Sequence, residues 1–367
     1  MNLSPDVKAR YTKDDVPAAS AQRYAELIAF GPMVFQASRV AVKTGLLDAI
    51  RNSDTGLTVE EAAKAAGLPL YGAKVLMEAS LSIGTLTVDP DTDRFSLSKT
   101  GWFLLNDPMI KVNMDFNHDV NYIGMFRLEE SVREGRPAGL EHFGAWPTIY
   151  EGLSSLPPQV QKSWFGFDHY YSDNSFGKAL EVVFSYHPKK IMDVGGNTGR
   201  WAEKCVAHDP EVMVTIVDLP QQIEMMKAAT AGKEGAERID GRGMNLLDDK
   251  NEFPSDVHPD IIWMSQFLDC FSEKEIASIL SRAAKIMDKG TRLCIMETFW
   301  DRQKFEPAAF CLTMTSLYFT ALANGNSKMY NSDDMVRIIR DCGIEIEAIH
   351  DFLGDGGHSI IVCKKTI

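Results

Sequence analysis

The residues with the clearest chemical potential form the segment Asp193-Val-Gly-Gly-Asn-Thr-Gly199, which lies between an apolar strand pattern and a helical pattern. Glycines let a backbone turn tightly and approach a ligand, and ligands of open α/β sheets bind beyond the carboxyl ends of the strands. The glycines are Gly195, Gly196 and Gly199, a spacing that differs from the G-x-G-x-x-G pattern of dinucleotide sites. Asp193 would repel a pyrophosphate and suits a cationic or amine-bearing ligand.

A second acid, Asp218, ends the next predicted strand, in the segment Asp218-Leu-Pro. A carboxylate at this position can accept hydrogen bonds from ribose hydroxyls. Two acids around a nucleoside with a positive centre describe S-adenosylmethionine (SAM) better than NAD. The sequence therefore predicts a SAM site at the carboxyl edge of a sheet, and the missing G-x-G-x-x-G pattern counts against an NAD-dependent dehydrogenase.

The elements that must position these residues occupy the last part of the chain, residues 186–367. Apolar strand patterns alternate there with helical patterns, which favours an α/β fold with a mostly parallel sheet covered on both faces. The predicted strands are 189–194, 212–218, 260–265, 292–297, 345–350 and 359–363. One of the intervening helices begins after Ser272, which forms a capping box with Glu275.

Residues 1–105 predict a mainly helical domain that ends in a small strand pair. Apolar residues recur at helical spacing over 37–50, a second helix begins at the Thr58 capping box, a third covers 70–82, and a hairpin follows. Three helices and a hairpin make a winged helix. The third helix has one lysine, one glutamate and many apolar residues, so protein contact is favoured over DNA binding. The apolar stretch 30–47 predicts a surface buried against a partner subunit.

Residues 106–185 form a third region, which is rich in aromatic residues and has no alternating strand pattern. Two interpretations are compatible: helices that join the domains, and the wall of an apolar or aromatic substrate pocket between them. His118, Tyr122, Phe167 and Tyr171 are the candidate pocket residues of this region. A lone histidine in such a region is more often a structural group than a catalytic base.

The composition restricts the classes of protein that the chain can represent. Its 367 residues are 45% hydrophobic and 24% charged, as in soluble globular proteins, and its net charge of −13 disfavours binding to nucleic acid. The N-terminus has no apolar signal-peptide core, and no run of about 18 apolar residues occurs, so we expect a cytoplasmic protein without a membrane span. The six cysteines are scattered without C-x-x-C pairs or zinc-ligand spacing, and we expect no metal.

Taken together, these motifs resemble the SAM-dependent small-molecule O-methyltransferases of the plant-type class and their bacterial relatives. The resemblance rests on DVGGNTG, on Val217-Asp218-Leu-Pro, on the aromatic region and on the winged helix, and it covers nearly the whole chain. It implies a Rossmann-like, seven-stranded SAM-binding domain preceded by a winged-helix dimerisation domain that builds a homodimer. Phenolic or other hydroxylated aromatic compounds are the typical substrates of this family.

Carried over residue by residue, the resemblance implies a set of cofactor contacts. The glycine-rich loop corresponds to Asp193, Gly195, Gly196 and Gly199; the ribose-binding acid and its neighbour at adenine correspond to Asp218 and Leu219; Ser265 and Gln266 lie where the family contacts the methionine part of SAM. Asn245 replaces an acid near adenine, and it is equally well interpreted as a turn residue. Met314 and Tyr318 lie on a helix that lines the acceptor pocket in the family, although a core stripe would have the same spacing.

The sequence departs from the family at the catalytic base. The family has a His-Asp-Trp-Ser-like run, and here Asp269 stands at the histidine position. Glu297 matches an acid that supports the histidine, and Met329 replaces a second such acid. An ordinary aspartate, with a pKa of about 3.9, is a poor base for a phenol with a pKa of about 10, but burial beside Glu297 can raise the pKa of Asp269. Asp269 is otherwise interpreted as an acid at a helix N-terminus.

The leading hypothesis is a homodimeric, SAM-dependent O-methyltransferase that acts on a hydroxyl of a small aromatic or apolar metabolite, with Asp269 and Glu297 as the catalytic pair. The alternative keeps the fold and the cofactor: a SAM-binding protein that is non-methylating or catalyses another SAM-assisted reaction, because Asp269 replaces the usual histidine. His118, His169 and His358 are alternative bases. A winged-helix regulator is a further alternative, which the acidic balance of the chain disfavours.

Overall fold

The computed structural model describes residues 5–354 and 357–366, and the chain divides into two compact units. The N-terminal unit is Tyr11–Asp119. The C-terminal unit contains the described residues of 120–367 together with those of 1–10. The three-part division at residues 105 and 185 stays a prediction.

The helices of the described residues fall in both units. In chain order they are α1 (Pro5–Arg10), α2 (Ala18–Ala29), α3 (Gly31–Lys43), α4 (Leu46–Arg51), α5 (Val59–Ala65), α6 (Leu70–Ile83), α7 (Lys99–Asn106), α8 (Pro108–Phe116), α9 (Leu128–Glu134), α10 (Ile149–Gly152), α11 (Pro158–Asp173), α12 (Phe176–Phe184), α13 (Arg200–His208), α14 (Pro220–Thr230), α15 (Glu273–Ile286), α16 (Glu306–Tyr318) and α17 (Ser332–Asp341). The strands are β1 (Leu86–Val88), β2 (Phe95–Leu97), β3 (Lys190–Val194), β4 (Met213–Asp218), β5 (Ile239–Gly243), β6 (Ile261–Ser265), β7 (Arg292–Glu297), β8 (Ile344–Leu353) and β9 (His358–Lys365).

The N-terminal unit has the predicted order of helices followed by an antiparallel hairpin, β1–β2. The predicted helical run over 37–50 is two helices, because Gly45 has φ = +76°, a left-handed conformation that ends α3 and precedes α4. Thr58 and Glu61 form the predicted capping box at the start of α5. The core of this unit is built from apolar residues of α3 to α6 and the hairpin, among them Ala41, Leu46, Leu47, Ile50, Met77 and Leu86.

The C-terminal unit contains the predicted seven-stranded, mostly parallel sheet. Its strand order is β5-β4-β3-β6-β7-β9-β8, and β9 runs antiparallel to both of its neighbours. The six predicted strands agree with the structure in place and order. The seventh, β5, is an edge strand of sequence Ile-Asp-Gly-Arg-Gly and has no fully buried residue, so its sequence lacks the apolar pattern of the central strands.

Apolar side chains cover both faces of this sheet. One face packs against α15 and α17 through Met192, Val194, Ile262, Met264, Leu293 and Ile295. The other packs against α12, α13 and α14 through Ile191, Val214, Ile216, Ile261, Trp263 and Cys294. Burial on both faces explains why the central strands read as continuous apolar runs. Because β3, β4, β6 and β7 are parallel neighbours in this sheet, their carboxyl ends meet at one edge.

Among the helices of residues 5–354 and 357–366, none has the length and apolar character needed to cross a bilayer.

Candidate active site

The glycine-rich loop follows β3 at the carboxyl edge of the sheet. Gly195 has φ = +76°, and its N–H donates to the Val217 carbonyl at 2.9 Å. A Cβ atom on Gly196 would lie 2.6 Å from Asp193 Oδ2 and 2.9 Å from Ile216 Cγ2. Both positions thus require glycine, the first for its backbone conformation and the second because the loop packs directly on β3 and β4.

Asp193 lies beneath this loop and is only 2% exposed. Its Oδ2 atom is buried and has no hydrogen-bond partner among the described residues. Burial, and secondarily the charge of Asp218, raise the pKa of Asp193 to about 8. The carboxyl group is therefore mostly protonated at neutral pH, and a cation placed beside it would favour its ionised form.

Asp218 ends β4 and accepts hydrogen bonds from both the glycine-rich loop and the turn that follows β4. Its Oδ2 accepts a hydrogen bond from the Asn197 N–H at 2.9 Å, and its Oδ1 accepts one from the Leu219 N–H at 2.7 Å. Burial raises the pKa of Asp218, and these two backbone bonds oppose that shift. Two bonds use about half of the acceptor capacity of a carboxylate, so Asp218 retains lone pairs for ribose hydroxyls.

Leu219 and Asn245 lie at the same edge of the sheet. Leu219 is half-buried and occupies the N-cap position of α14 without a side-chain capping bond. Asn245 is exposed and follows Met244, whose N–H donates to the Asp218 carbonyl at 2.7 Å. The Asn245 Oδ1 accepts a hydrogen bond from the Leu247 N–H at 2.9 Å. This bond supports the turn interpretation of Asn245, and its contact with adenine stays a prediction.

Ser265 and Gln266 follow at the end of β6, and both are half-buried. Gln266 has φ = +45°, its N–H donates to the Met296 carbonyl at 2.9 Å, and its Oε1 is buried without a hydrogen-bond partner among the described residues. The ring of the next residue, Phe267, covers Gly195, where a Cβ atom would lie 2.3 Å from its Cδ2. The glycine loop therefore packs against the residue that precedes the turn carrying Asp269.

Asp269 lies in a short 3₁₀ turn, Leu268–Cys270, just before α15. Glu297, at the end of β7, holds the start of this turn: its Oε1 accepts the N–H groups of Phe267 at 3.1 Å and Leu268 at 2.9 Å. Asp269 is 6% exposed and Glu297 2% exposed. The Oε2 atom of Glu297 is buried and has no hydrogen-bond partner in the described part of the chain.

The electrostatics of this pair differ from those of surface carboxylates. Burial, and to a smaller extent the negative charge of Asp168, raise the pKa of Asp269 to about 7, while a hydrogen bond from the Cys270 thiol opposes the shift. That thiol lies 3.5 Å from Asp269 Oδ1. Burial and the neighbouring charge of Asp269 raise the pKa of Glu297 well above its ordinary value. An aspartate with a pKa near neutrality can exchange a proton at physiological pH.

The sequence pattern does not identify the roles of several residues at the site. Asp168, on α11, influences Asp269 electrostatically, and the indole N–H of Trp164, one turn earlier, donates to the Tyr318 hydroxyl at 2.7 Å. The side-chain amide of Asn324 donates to the Cys270 carbonyl at 2.6 Å. Asp168 could have been noticed as the acid next to Phe167, but its relation to Asp269 depends on packing between distant segments.

The predicted pocket residues lie in different surroundings. Phe167 and Tyr171 contact each other one turn apart on α11, with ring centroids 4.8 Å apart. Tyr318 is buried, whereas Met314, on the same helix, is 45% exposed. The half-buried Tyr122 belongs to the C-terminal unit and His118 to the N-terminal unit. His118 Nδ1 lies 2.7 Å from Asp119 Oδ1. The roles of these residues in a pocket stay predictions.

Met329, which the resemblance aligns with a second supporting acid, is buried, and the Thr298 hydroxyl donates to its sulfur at 3.7 Å. His358, one of the alternative bases, is fully buried and pairs through Nδ1 with the Ser175 hydroxyl at 2.6 Å. Burial lowers the pKa of His358 to about 4. Its pairing with Ser175 gives His358 a structural role.

Comparison with known proteins places this geometry in a family. A Dimerisation2-like domain matches residues 22–95, and an O-methyltransferase domain matches residues 128–343. Acetylserotonin O-methyltransferase of Gallus gallus is 22% identical, with 76% of this chain and 80% of the relative covered. For 3-hydroxy-5-methyl-1-naphthoate 3-O-methyltransferase of Streptomyces sahachiroi the identity is 23%, and the coverages are 92% and 94%.

Solved structures show the same fold. The apo form of the S-adenosylmethionine-dependent methyltransferase SibL superimposes with a TM-score of 0.70 at 21% identity, covering 93% of this chain and 98% of the other. Human N-acetylserotonin methyltransferase in complex with SAM gives a TM-score of 0.64 at 17% identity, covering 97% and 100%. Since the O-methyltransferase domain accounts for more than half of its residues, this chain belongs to the O-methyltransferase domain family.

Proposed function

We propose that this protein transfers a methyl group from SAM to a hydroxyl of a small aromatic or apolar metabolite. One observation carries the proposal: neighbouring strands of one sheet place a glycine-rich loop and two acids, Asp193 and Asp218, beside the buried carboxyl pair Asp269 and Glu297. The first group suits a cationic nucleoside, and the second suits removal of a proton from an acceptor.

The cofactor of this family is SAM, and the residues present fit it. Asp193 Oδ2 and Gln266 Oε1 are buried acceptors without a hydrogen-bond partner among the described residues, as a cofactor with an ammonium group requires. The contacts that we propose are Asp193, Gly195, Gly196, Gly199, Asp218, Leu219, Asn245, Ser265 and Gln266. SAM supplies a methyl group bound to a positively charged sulfur, which an acceptor oxygen can attack in line.

Asp269 is the proposed base. A phenol with a pKa of about 10 exceeds an ordinary aspartate by about six pKa units, a proton-transfer cost of about 8 kcal/mol. With the pKa of Asp269 at about 7, the cost falls to about 4 kcal/mol, and it falls further as the oxygen loses basicity during methyl transfer. Because the Cys270 thiol donates to Oδ1, the proton is received at Oδ2 of Asp269.

Glu297 is the proposed positioning partner of Asp269. Its Oε1 accepts two backbone N–H groups, and its raised pKa keeps a proton on the buried Oε2. The pair then carries one negative charge, located on Asp269, as two adjacent buried carboxyl groups prefer. The acceptor pocket is proposed to include Tyr122, Phe167, Tyr171, Met314 and Tyr318.

The N-terminal unit is proposed to form a homodimer. It exposes large apolar side chains, including those of Tyr24, Ile28, Phe30, Met33 and Tyr71, and it matches a family model named for dimerisation. A concentration of exposed large apolar side chains is typical of association sites. Sedimentation of the full chain should give twice the mass of 40.9 kDa, and a monomer at all concentrations would contradict this part of the proposal.

A second candidate function keeps SAM binding without O-methylation. It is favoured by Asp269 at the family's histidine position and by Met329 at the position of a supporting acid. This candidate includes both a protein without methyl transfer and one that catalyses a different SAM-assisted reaction. Both functions require SAM, so the two candidates differ in whether a methyl group reaches an acceptor hydroxyl.

The experiment combines SAM titration calorimetry with transfer of radiolabelled methyl groups to a panel of phenols. Binding together with transfer supports the first function, binding without any transfer supports the second, and no binding at millimolar SAM refutes both. Gly196→Ala should abolish binding because its Cβ would collide with Asp193 Oδ2. Gly177→Ala is the matched control, since a Cβ on this helical glycine meets no atom within 4 Å.

A further inference from the structure

We infer that Asn324 is a positioning residue, whose side-chain amide sets the geometry of the turn that carries Asp269. The amide nitrogen of Asn324 donates to the Cys270 carbonyl at 2.6 Å, immediately after Asp269 in the chain. The inference rests on the proposed role of Asp269 as the base and adds a residue from a segment far away in sequence.

The orientation of the Asn324 amide is determined by its own neighbours. Its Oδ1 accepts hydrogen bonds from the Asn326 N–H at 3.2 Å, the Ser327 N–H at 3.2 Å and the Ser327 hydroxyl at 2.8 Å. An oxygen with three donors cannot be exchanged with the NH₂ group, so Nδ2 must point at the Cys270 carbonyl. The donor is held in place before any ligand binds.

Asn324 completes a clamp on the turn. Glu297 holds its amino side through the N–H groups of Phe267 and Leu268. On the carbonyl side, Asn324 binds Cys270, and the Tyr330 hydroxyl donates to the Phe271 carbonyl at 2.7 Å. Asp269 lies between these two sets of bonds, which restrain the backbone that carries its carboxyl group.

The segment that carries Asn324 also follows a helix of the proposed acceptor pocket. Helix α16 ends with Tyr318, which accepts a hydrogen bond from Trp164, and a π-helical segment, Phe319–Ala323, leads directly to Asn324. If Asn324 positions the base, the same segment determines the distance between the base and an acceptor that contacts α16. Such precision matters because small misplacements of reacting groups strongly reduce rates.

The test is a double-mutant cycle with Asn324→Leu and Asp269→Asn. We expect Asn324→Leu to lower kcat about tenfold or more in the otherwise unaltered protein, with the Kd for SAM changed less than about twofold. In the Asp269→Asn background the same substitution should change kcat less than about twofold, because the group that it positions is already gone. An equal loss in both backgrounds, or no loss in either, would overturn the inference.

Asn324→Asp is a second variant, which keeps the size and the oxygen that binds Ser327 but replaces the Nδ2 donor with an acceptor oxygen and adds a negative charge. Asn106→Leu is the matched control, because its amide also donates to a backbone carbonyl, that of Trp102 at 2.7 Å, in the N-terminal unit. We expect kcat to fall for Asn324→Asp and to stay within about twofold for Asn106→Leu.

A measurement without an acceptor separates this inference from the proposed function. The carboxyl carbon of Asp269, labelled with ¹³C and assigned by its loss in Asp269→Asn, is titrated by NMR. Asn324→Leu, which adds no charge, should shift the pKa of Asp269 by about one unit or more, because the burial of the carboxyl changes. An unchanged titration refutes the positioning role even if the protein transfers no methyl group.

Discussion

Substitution of Asp269 by asparagine is the most direct probe of the proposed chemistry. The change keeps the size of the side chain and an Oδ1 that can accept from the Cys270 thiol, and it removes the proton-accepting carboxylate. General-base catalysis contributes about 10²–10⁴-fold, so kcat should fall by that factor. SAM affinity should be unchanged, because Asp269 is not among the proposed cofactor contacts.

The pH dependence of kcat gives a second, independent measure of the contribution of Asp269. Because the pKa of Asp269 is raised to about 7, the carboxyl is protonated and inactive below this pH and ionised above it. At pH 6 only about one tenth of the molecules carry the base, and kcat should fall about tenfold per pH unit below that. In Asp269→Asn this ascending limb should disappear, leaving a low rate that is constant from pH 6 to 8.

The assay is a single-turnover measurement of radiolabelled methyl transfer at saturating SAM, with a phenol that the panel identifies as an acceptor. Asp249→Asn serves as the control, because Asp249 is an exposed aspartate. If Asp269→Asn retains kcat within about threefold, or keeps an ascending limb near pH 7, the base is a different group and the reasoning from burial is wrong.

Three further predictions follow from other charges and contacts. Asp168→Asn removes a negative charge near Asp269, so the ascending limb of the pH profile should move to lower pH; an unmoved limb would show that this charge has no effect. Because Asp193 is mostly protonated below about pH 8, SAM binding at pH 7 should release a proton, and the affinity for SAM should rise with pH up to about 8. Calorimetry in buffers of different ionisation enthalpy measures this proton release, which Asp193→Asn should abolish. Ser175→Ala leaves the buried Nδ1 of His358 without its partner and should lower the free energy of unfolding by about 1–3 kcal/mol in urea titrations, whereas an unchanged midpoint would mean that the pair contributes nothing.

Much of the fold follows from sequence because the sheet is buried on both faces. Central strands such as β3 and β6 are continuous apolar runs, and their predicted ends lie within one residue of the observed ones. The edge strands are less predictable: β5 has no fully buried residue, and β8 extends to Leu353, three residues beyond its predicted end, through an irregular antiparallel pairing. Gly45 interrupts a helical pattern that apolar spacing alone presents as continuous.

The candidate site also contains one part that sequence predicts and one part that it does not. The glycine loop and the acids at strand ends are local signals, since each follows directly from the strand that precedes it. The bonds from Trp164 to Tyr318 and from Asn324 to Cys270 join residues that are 154 and 54 positions apart, and only tertiary packing brings them together. The influence of the Asp168 charge on Asp269 cannot be predicted from sequence either, because only tertiary packing brings the two residues together.

The two departures from the family pattern are chemically consistent with each other. A histidine base between two acids holds one exchangeable proton near two carboxylates, and the acids stabilise its cationic form. When the base is itself a carboxyl group, as we propose for Asp269, a second supporting acid would bring three carboxyl groups into one buried site and raise the pKa of each. Met329 instead offers a buried thioether to the Thr298 hydroxyl, so Asp269 has only Glu297 as its carboxyl partner from the family's pattern of supporting acids. In the proposed mechanism, replacement of both residues thus keeps a single negative charge on the pair, which is the state that a base of near-neutral pKa requires.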